Sequence, residues 1–213
     1  MEIKIAEHSG FCFGVSEAIR KTEELIDKYK DTDIKVYTCG PLIHNKSVTD
    51  NLCKRGLNIS DSLASVEPGS ILIIRSHGEP KSFYDEAYDA NLKIVDATCP
   101  YVSKIHKIVE KAHKEGRNVV VIGDATHPEV RGIVGWAEGK ATVINSLEEA
   151  ADIDFDNITL VAQTTITGNL WDSIAGYLAA SKNDVMPIRT ICSATDKRQS
   201  SCEKLALESD VMI

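Results

Sequence analysis

Short apolar runs alternate along this chain with stretches in which apolar residues recur every three or four positions. Residues 34–39, 70–75, 92–95, 118–122, 143–144 and 159–162 are brief and β-branched, the composition of buried strands. Between them Val15, Ala18, Ile19, Thr22 and Ile26 mark one face of a helix, and Val102, Ile105, Ile108, Val109 and Ala112 mark another. Further helices are predicted from the loop after His44 through Leu52, at 83–90, at 146–150, where Ser146 and Glu149 make a capping-box start, at 169–181 and at 194–207. Ile3 and Ile5 alternate as one more strand. Strands alternating with helices predict an α/β fold of parallel sheets, with the functional loops at the carboxyl ends of the strands.

The pattern repeats, and each repeat carries a cysteine between a strand and a helix. Cys99 ends residues 94–99 and is followed by Pro100, which suits a first helical position. Cys12 and Cys192 occupy the same kind of junction at nearly equal intervals along the chain. A helix N-terminus favours a thiolate there. Three such cysteines predict a pseudo-threefold arrangement of α/β lobes around a central cavity on which the thiols converge. In this scheme residues 92–95 open the second repeat.

Polar residues fall at the ends of the same predicted strands: His44, His77 and His127, with Glu129 two residues beyond His127 and Thr164 and Thr165 after the strand at 159–162. Converging imidazoles, with the N–H groups of the 76–78 loop, can donate hydrogen bonds to an anion. Glu129 is a candidate proton donor, weighed against an exposed surface carboxylate. His8, His106 and His113 do not share the repeated placement; His106 and His113, on the helix after Cys99, are expected to face solvent.

Composition narrows the chemistry. A net charge of −8 argues against a nucleic-acid partner for this region, while 43% hydrophobic content supports a real core in 213 residues. No apolar run approaches a membrane span, and no apolar segment follows a basic start, so a cytoplasmic location is expected. In a reducing compartment six cysteines point to metal or redox chemistry rather than disulfides. Zinc sites usually draw on four ligands with closely spaced cysteine pairs, which are absent here. Three well-separated cysteines instead fit an iron–sulfur cluster with one iron free of protein ligands. Cys39, Cys53 and Cys202 stand outside the repeat and read as packing residues.

Seven segments in order, Gly10-Phe11-Cys12-Phe13-Gly14-Val15, Leu42-Ile43-His44-Asn45, Arg75-Ser76-His77-Gly78, Asp96-Ala97-Thr98-Cys99-Pro100, Thr126-His127-Pro128-Glu129, Gln163-Thr164-Thr165 and Ile191-Cys192-Ser193-Ala194-Thr195, resemble the 4-hydroxy-3-methylbut-2-enyl diphosphate reductase (LytB) family. The resemblance implies a [4Fe-4S] cluster on Cys12, Cys99 and Cys192, diphosphate binding by His44, His77 and His127, and catalysis by Glu129 with a threonine, Thr165 in preference to Thr164. It implies reductive dehydroxylation of an allylic diphosphate in the last step of the non-mevalonate isoprenoid pathway, with ferredoxin or flavodoxin as electron donor. The lobes would be 14–98, 99–188, and an incomplete third built from 1–13 and 189–213. The family's Ser-x-Asn segment and later serine of the third lobe are not in this sequence, and residues 211–213 have the look of a strand beginning, so the chain reads as the front of a longer protein, in some family members one with an appended nucleic-acid-binding domain. Two alternatives stand beside the reductase: an inactive fragment of it, and a thiol- or zinc-binding regulatory module.

Overall fold

A computed structural model describes residues 2–213. Two four-stranded, wholly parallel sheets follow one another along the chain. The first contains β1 (Val36–Cys39), β2 (Leu57–Ser60), β3 (Ile71–Ile74) and β4 (Lys93–Asp96), in the order β2-β1-β3-β4. The second contains β5 (Asn118–Ile122), β6 (Thr142–Ile144), β7 (Ile158–Ala162) and β8 (Val185–Pro187), in the matching order β6-β5-β7-β8. The central strands pair in parallel register, Val36 with Ile71 in one sheet and Val120 with Leu160 in the other.

Helices cover both faces of each sheet, which is why the central strands are apolar without alternation. In the first lobe, α1 (Phe13–Tyr29) and α2 (Lys46–Arg55) pack Ala18, Ile26 and Leu52 against Val36, Ile71 and Ile73. The opposite face, with Leu72 and Ile74, is covered by Ala87 of α3 (Lys81–Asp89). In the second lobe, α4 (Pro100–Lys114) and α5 (Pro128–Trp136) set Ile105, Val109, Val130 and Ile133 on Val119, Val121 and Val161. The other face, with Val120, Ile158 and Leu160, meets α6 (Leu147–Ala151) and α7 (Gly168–Ser181) through Ala150, Trp171, Ile174 and Leu178. Fully burying a side chain of this size contributes about 1.5–3 kcal/mol, so the four-sided packing holds both lobes. The last helix, α8 (Ser193–Leu207), buries none of its residues.

Local chemistry sets the helix ends nearest the loops of interest. Asn45 caps α2 by accepting from the Val48 N–H at 3.0 Å, and Gly56 ends it at φ +124°. Pro100 and Pro128 open α4 and α5, where the absent N–H costs nothing. The predicted cap forms with its reciprocal bond one residue early: Ser146 Oγ accepts from Glu149 N at 3.2 Å, and Glu149 Oε2 accepts from Asn145 N at 2.6 Å.

Four expectations are corrected. Residues 2–12 form no strand, and Ile3 and Ile5 are exposed, because no neighbouring strand among the described residues pairs with them. Strand 93–96 closes the first sheet beside β3 rather than opening the second. The loop after β5 turns into helix α5 at Pro128, a helix its glycines and short length conceal, and the four-residue β2, with only Leu57 and Ser60 buried, also lacks a periodic signal. His106 does not face solvent: it is 3% exposed and stacks on Trp136.

Candidate active site

The carboxyl ends of β1, β3, β5 and β7 carry the loops that sequence periodicity singles out, and three of them deliver an imidazole each to one place. The ring centroids of His44 and His77 lie 4.4 Å apart, those of His44 and His127 5.5 Å, and those of His77 and His127 5.7 Å. His44 reaches the group from the residue before the α2 cap. His127 is itself the cap of α5: its Nδ1 accepts from Glu129 N at 3.1 Å. That bond puts the proton of the neutral ring on Nε2, free to donate outward.

His77 is held differently. Its Nδ1 is buried without a hydrogen-bond partner. Burial, then the nearby His44, Arg75 and His127, pushes its pKa down to about 3. His127 is lowered by burial and His44 in the same direction, with Asp124 opposing. Charged imidazoles this close repel one another, so the arrangement suits an anion.

Glu129, in the first turn of α5, is 3% exposed rather than on the surface. Its Oε1 accepts from the Thr164 N–H at 2.6 Å and its Oε2 from the Thr164 hydroxyl at 2.7 Å. Burial raises its pKa while both bonds from Thr164 oppose the rise, so the carboxyl is protonated over a wider pH range than an ordinary glutamate. Thr165 points elsewhere: it is exposed, and its Oγ1 accepts from Gln163 Nε2 at 3.0 Å. Gln163 Oε1 in turn accepts from Asp124 N at 3.1 Å, tying the β5 and β7 loops together.

Cys12, Cys99 and Cys192 are the N-caps of α1, α4 and α8, and none spends its side chain on a capping bond. Two are sewn to the loops just described. Cys99 N donates to Ser76 O at 3.0 Å, beside His77, and Cys192 N donates to Thr164 O at 3.0 Å. Thr195 Oγ1 adds a second bond to Thr164 O at 3.0 Å. Gly14, in the first turn of α1, lies so close to Cys99 that a Cβ there would sit 2.6 Å from its sulfur. Tyr101 and Ser193, each just past a cysteine, meet through their hydroxyls at 3.2 Å. The Cys99 thiol is raised by burial, with Cys192 and Cys12 adding to the rise and the N–H groups of Tyr101 and Val102 opposing it. At Cys99 the helix-terminus N–H groups therefore act against burial.

All six cysteines are free thiols. Burial lifts Cys39 to about 11 and raises Cys53, as inert packing residues require; Cys202 is exposed. Among the described residues no three His, Cys, Asp or Glu side chains close on a single-ion site. The donor set suits a larger group: three uncommitted thiols on separate helix ends, with a bare Cα at Gly14 leaving Cys99 its room. The periodicity had no means of marking Gly14 or the Ser76 carbonyl, since both act through backbone proximity.

No helix among the described residues is long and apolar enough to cross a membrane. The family model for LytB protein matches residues 3–213. A protein of Alkaliphilus oremlandii named 4-hydroxy-3-methylbut-2-enyl diphosphate reductase is 44% identical over all of this chain, which spans 76% of that relative. A solved structure titled (E)-4-hydroxy-3-methyl-but-2-enyl diphosphate reductase, the terminal enzyme of the non-mevalonate pathway, superposes with a TM-score of 0.80 at 40% identity, covering 99% of this chain and 75% of that one. The Plasmodium falciparum reductase structure gives a TM-score of 0.85 at 28% identity, over 94% of this chain and 64% of its own. With its two parallel sheets, its histidine trio and its three helix-capping cysteines, the chain belongs to the LytB family.

Proposed function

We propose that this protein is a 4-hydroxy-3-methylbut-2-enyl diphosphate reductase, an oxidoreductase of the last non-mevalonate step. The observation that carries the reading is the placement of three imidazoles within 5.7 Å of one another beside a buried carboxyl. The overall change is removal of the allylic hydroxyl as water, with two electrons and two protons taken up, to give isopentenyl and dimethylallyl diphosphate. Ferredoxin or flavodoxin supplies the electrons. Cys12, Cys99 and Cys192 would hold a [4Fe-4S] cluster, which when bound supplies a Lewis-acidic iron and a path for those electrons.

His44, His77 and His127 bind the diphosphate. Burial and neighbouring charge hold His77 and His127 below the ordinary histidine range, and an anion beside them opposes that shift. Diphosphate binding therefore favours protonation of these two rings. Fixing this end of the substrate orients its hydroxyl end.

Hydroxide is a poor leaving group, so its departure requires a proton. Glu129, whose buried carboxyl holds a proton more readily than an ordinary glutamate, supplies it; in that state the Thr164 hydroxyl, 2.7 Å away, turns to accept from Glu129 and donates its own proton onward. Thr164, rather than Thr165, is the threonine in this path. The 14–98 and 99–188 lobes supply these groups, and 189–213 brings Cys192. The enzyme acts in the cytoplasm.

The test is anaerobic iron–sulfur reconstitution followed by turnover with a reduced donor. A brown protein with a cluster absorption band, losing iron when any one of the three cysteines becomes serine, is expected. A colourless protein that instead binds zinc would replace the reductase reading by a thiol- or zinc-binding module.

A further inference from the structure

His106 is the one imidazole buried away from the trio, and it makes no hydrogen bond with its Nε2. A buried nitrogen left unpaired costs about 1–3 kcal/mol, so an aliphatic residue would serve the α4 core better if filling space were the only requirement. What surrounds it is the His77 loop. On one side its ring stacks on Trp136 of α5, centroids 5.2 Å apart and planes 16° from parallel. On the other lies Gly78, whose φ is +73° and where a Cβ would fall 2.4 Å from the imidazole Cε1. The next two residues dock on the same surface: Glu79 O accepts from Trp136 Nε1 at 3.0 Å, and Pro80 packs where a Cβ on Gly135 would be only 2.4 Å away.

These contacts matter because no hydrogen bond to Nδ1 aims His77. His127 is oriented by a hydrogen bond to its own Nδ1, as histidines with a donor task usually are. The Nδ1 of His77 has no such partner. Besides its packing against the other two rings, its position is set by the backbone on either side: Ser76 O, held by Cys99 N, before it, and the Gly78–Pro80 run after it.

We infer that His106 is a positioning residue for diphosphate binding, the flat face on which the second lobe seats Gly78 and thereby fixes where His77 presents its ring. This rests on the reading of the histidine trio as the anion site. The five-membered ring fits between two residues without side chains, Gly78 and Gly132, a Cβ at the latter lying 3.5 Å from His106 Nε2. A smaller residue leaves the loop unsupported.

The experiment measures inorganic pyrophosphate binding by calorimetry, with KM and kcat on the reconstituted protein. His106→Ala is expected to weaken pyrophosphate about 10-fold and raise KM to match, with kcat within about twofold and the cluster spectrum unchanged, since misplacing a binding group by a fraction of an ångström costs about this much. A folded His106→Ala variant that melts at lower temperature but binds pyrophosphate normally would overturn the inference. If that variant does not fold, Trp136→Phe decides: it keeps the stack but removes the N–H to Glu79 O, and a loss of about threefold is expected against no loss. His77→Gln runs in parallel. Weakened binding there with normal binding in the His106 and Trp136 variants sinks the inference alone, whereas normal binding by His77→Gln sinks the anion-site reading and the inference with it.

Discussion

In the first lobe the loops after β1 and β3 carry His44 and His77; in the second the equivalent loops carry His127 with Glu129, and Thr164. The backbone beneath them is the same. Gly40 N donates to Ser60 O and Gly123 N to Ile144 O, both at 2.9 Å, while Cys99 N and Cys192 N each donate at 3.0 Å to the loop that follows the third strand of their sheet. Only the side chains differ: the loops of one lobe carry two imidazoles, and those of the other carry an imidazole with a buried carboxyl and its threonine partner. The lesson is that main-chain bonds, indifferent to side-chain identity, preserve the frame while single positions take on separate chemistry.

The sharpest way to break this comparison is at Glu129. Glu129→Gln keeps the size and hydrogen-bonding capacity but cannot supply a proton, so turnover should fall by about 10²–10⁴-fold with pyrophosphate affinity and the cluster spectrum unchanged. Near-normal turnover would remove the functional difference between the lobes. Replacing a histidine tests the shared function. His44→Gln and His127→Gln should each weaken pyrophosphate about 10-fold, one from each lobe, consistent with about 1.5–3 kcal/mol for a hydrogen bond to a charged group; an effect confined to one lobe would show that the anion rests on that lobe only.

Gly14 sharpens the link between lobes. Gly14→Ala places a Cβ 2.6 Å from Cys99 Sγ, so iron content after reconstitution should drop severalfold while the apo protein still folds; full iron loading would show that Cys99 needs no such clearance. Acid tests His77 directly. Its folded pKa of about 3 lies below the ordinary 6.5, so the unfolded chain binds the proton more readily in between. Stability from this group is complete above about pH 6.5 and is lost as pH falls toward 3. In an acid titration of the melting temperature, pyrophosphate should reduce that loss, and a His77→Gln variant should show less of it.

The smallest effect is expected away from the site. Ser146→Ala removes the cap of α6 and should cost about 1 kcal/mol, a shift of about 2–4 °C, with pyrophosphate binding untouched. A change in binding would mean that the second lobe transmits strain from its far side to the loops.

The elements with long periodic faces were legible in the sequence: α1, α4, α7 and the strands β1, β3, β5 and β7, because apolar spacing reports which face is buried whatever it is buried against. The placing of each of the three cysteines just before a helix was equally legible, as was the placing of His44, His77 and His127 in the loops after strands. Tertiary structure alone decided the rest. Thr164 and Thr165 are neighbours with the same side chain, and only the path of the β7 loop past α5 gives Glu129 to the first of them. His106 lies on the buried side of α4 because a loop from the other lobe closes over it, and Ile3 and Ile5 stay exposed because a strand needs a partner that local pattern cannot supply. Local sequence sets what a segment can become, while contacts between residues distant in the chain set what each side chain touches, and it is those contacts that place the Glu129 carboxyl, the three imidazoles and the thiols.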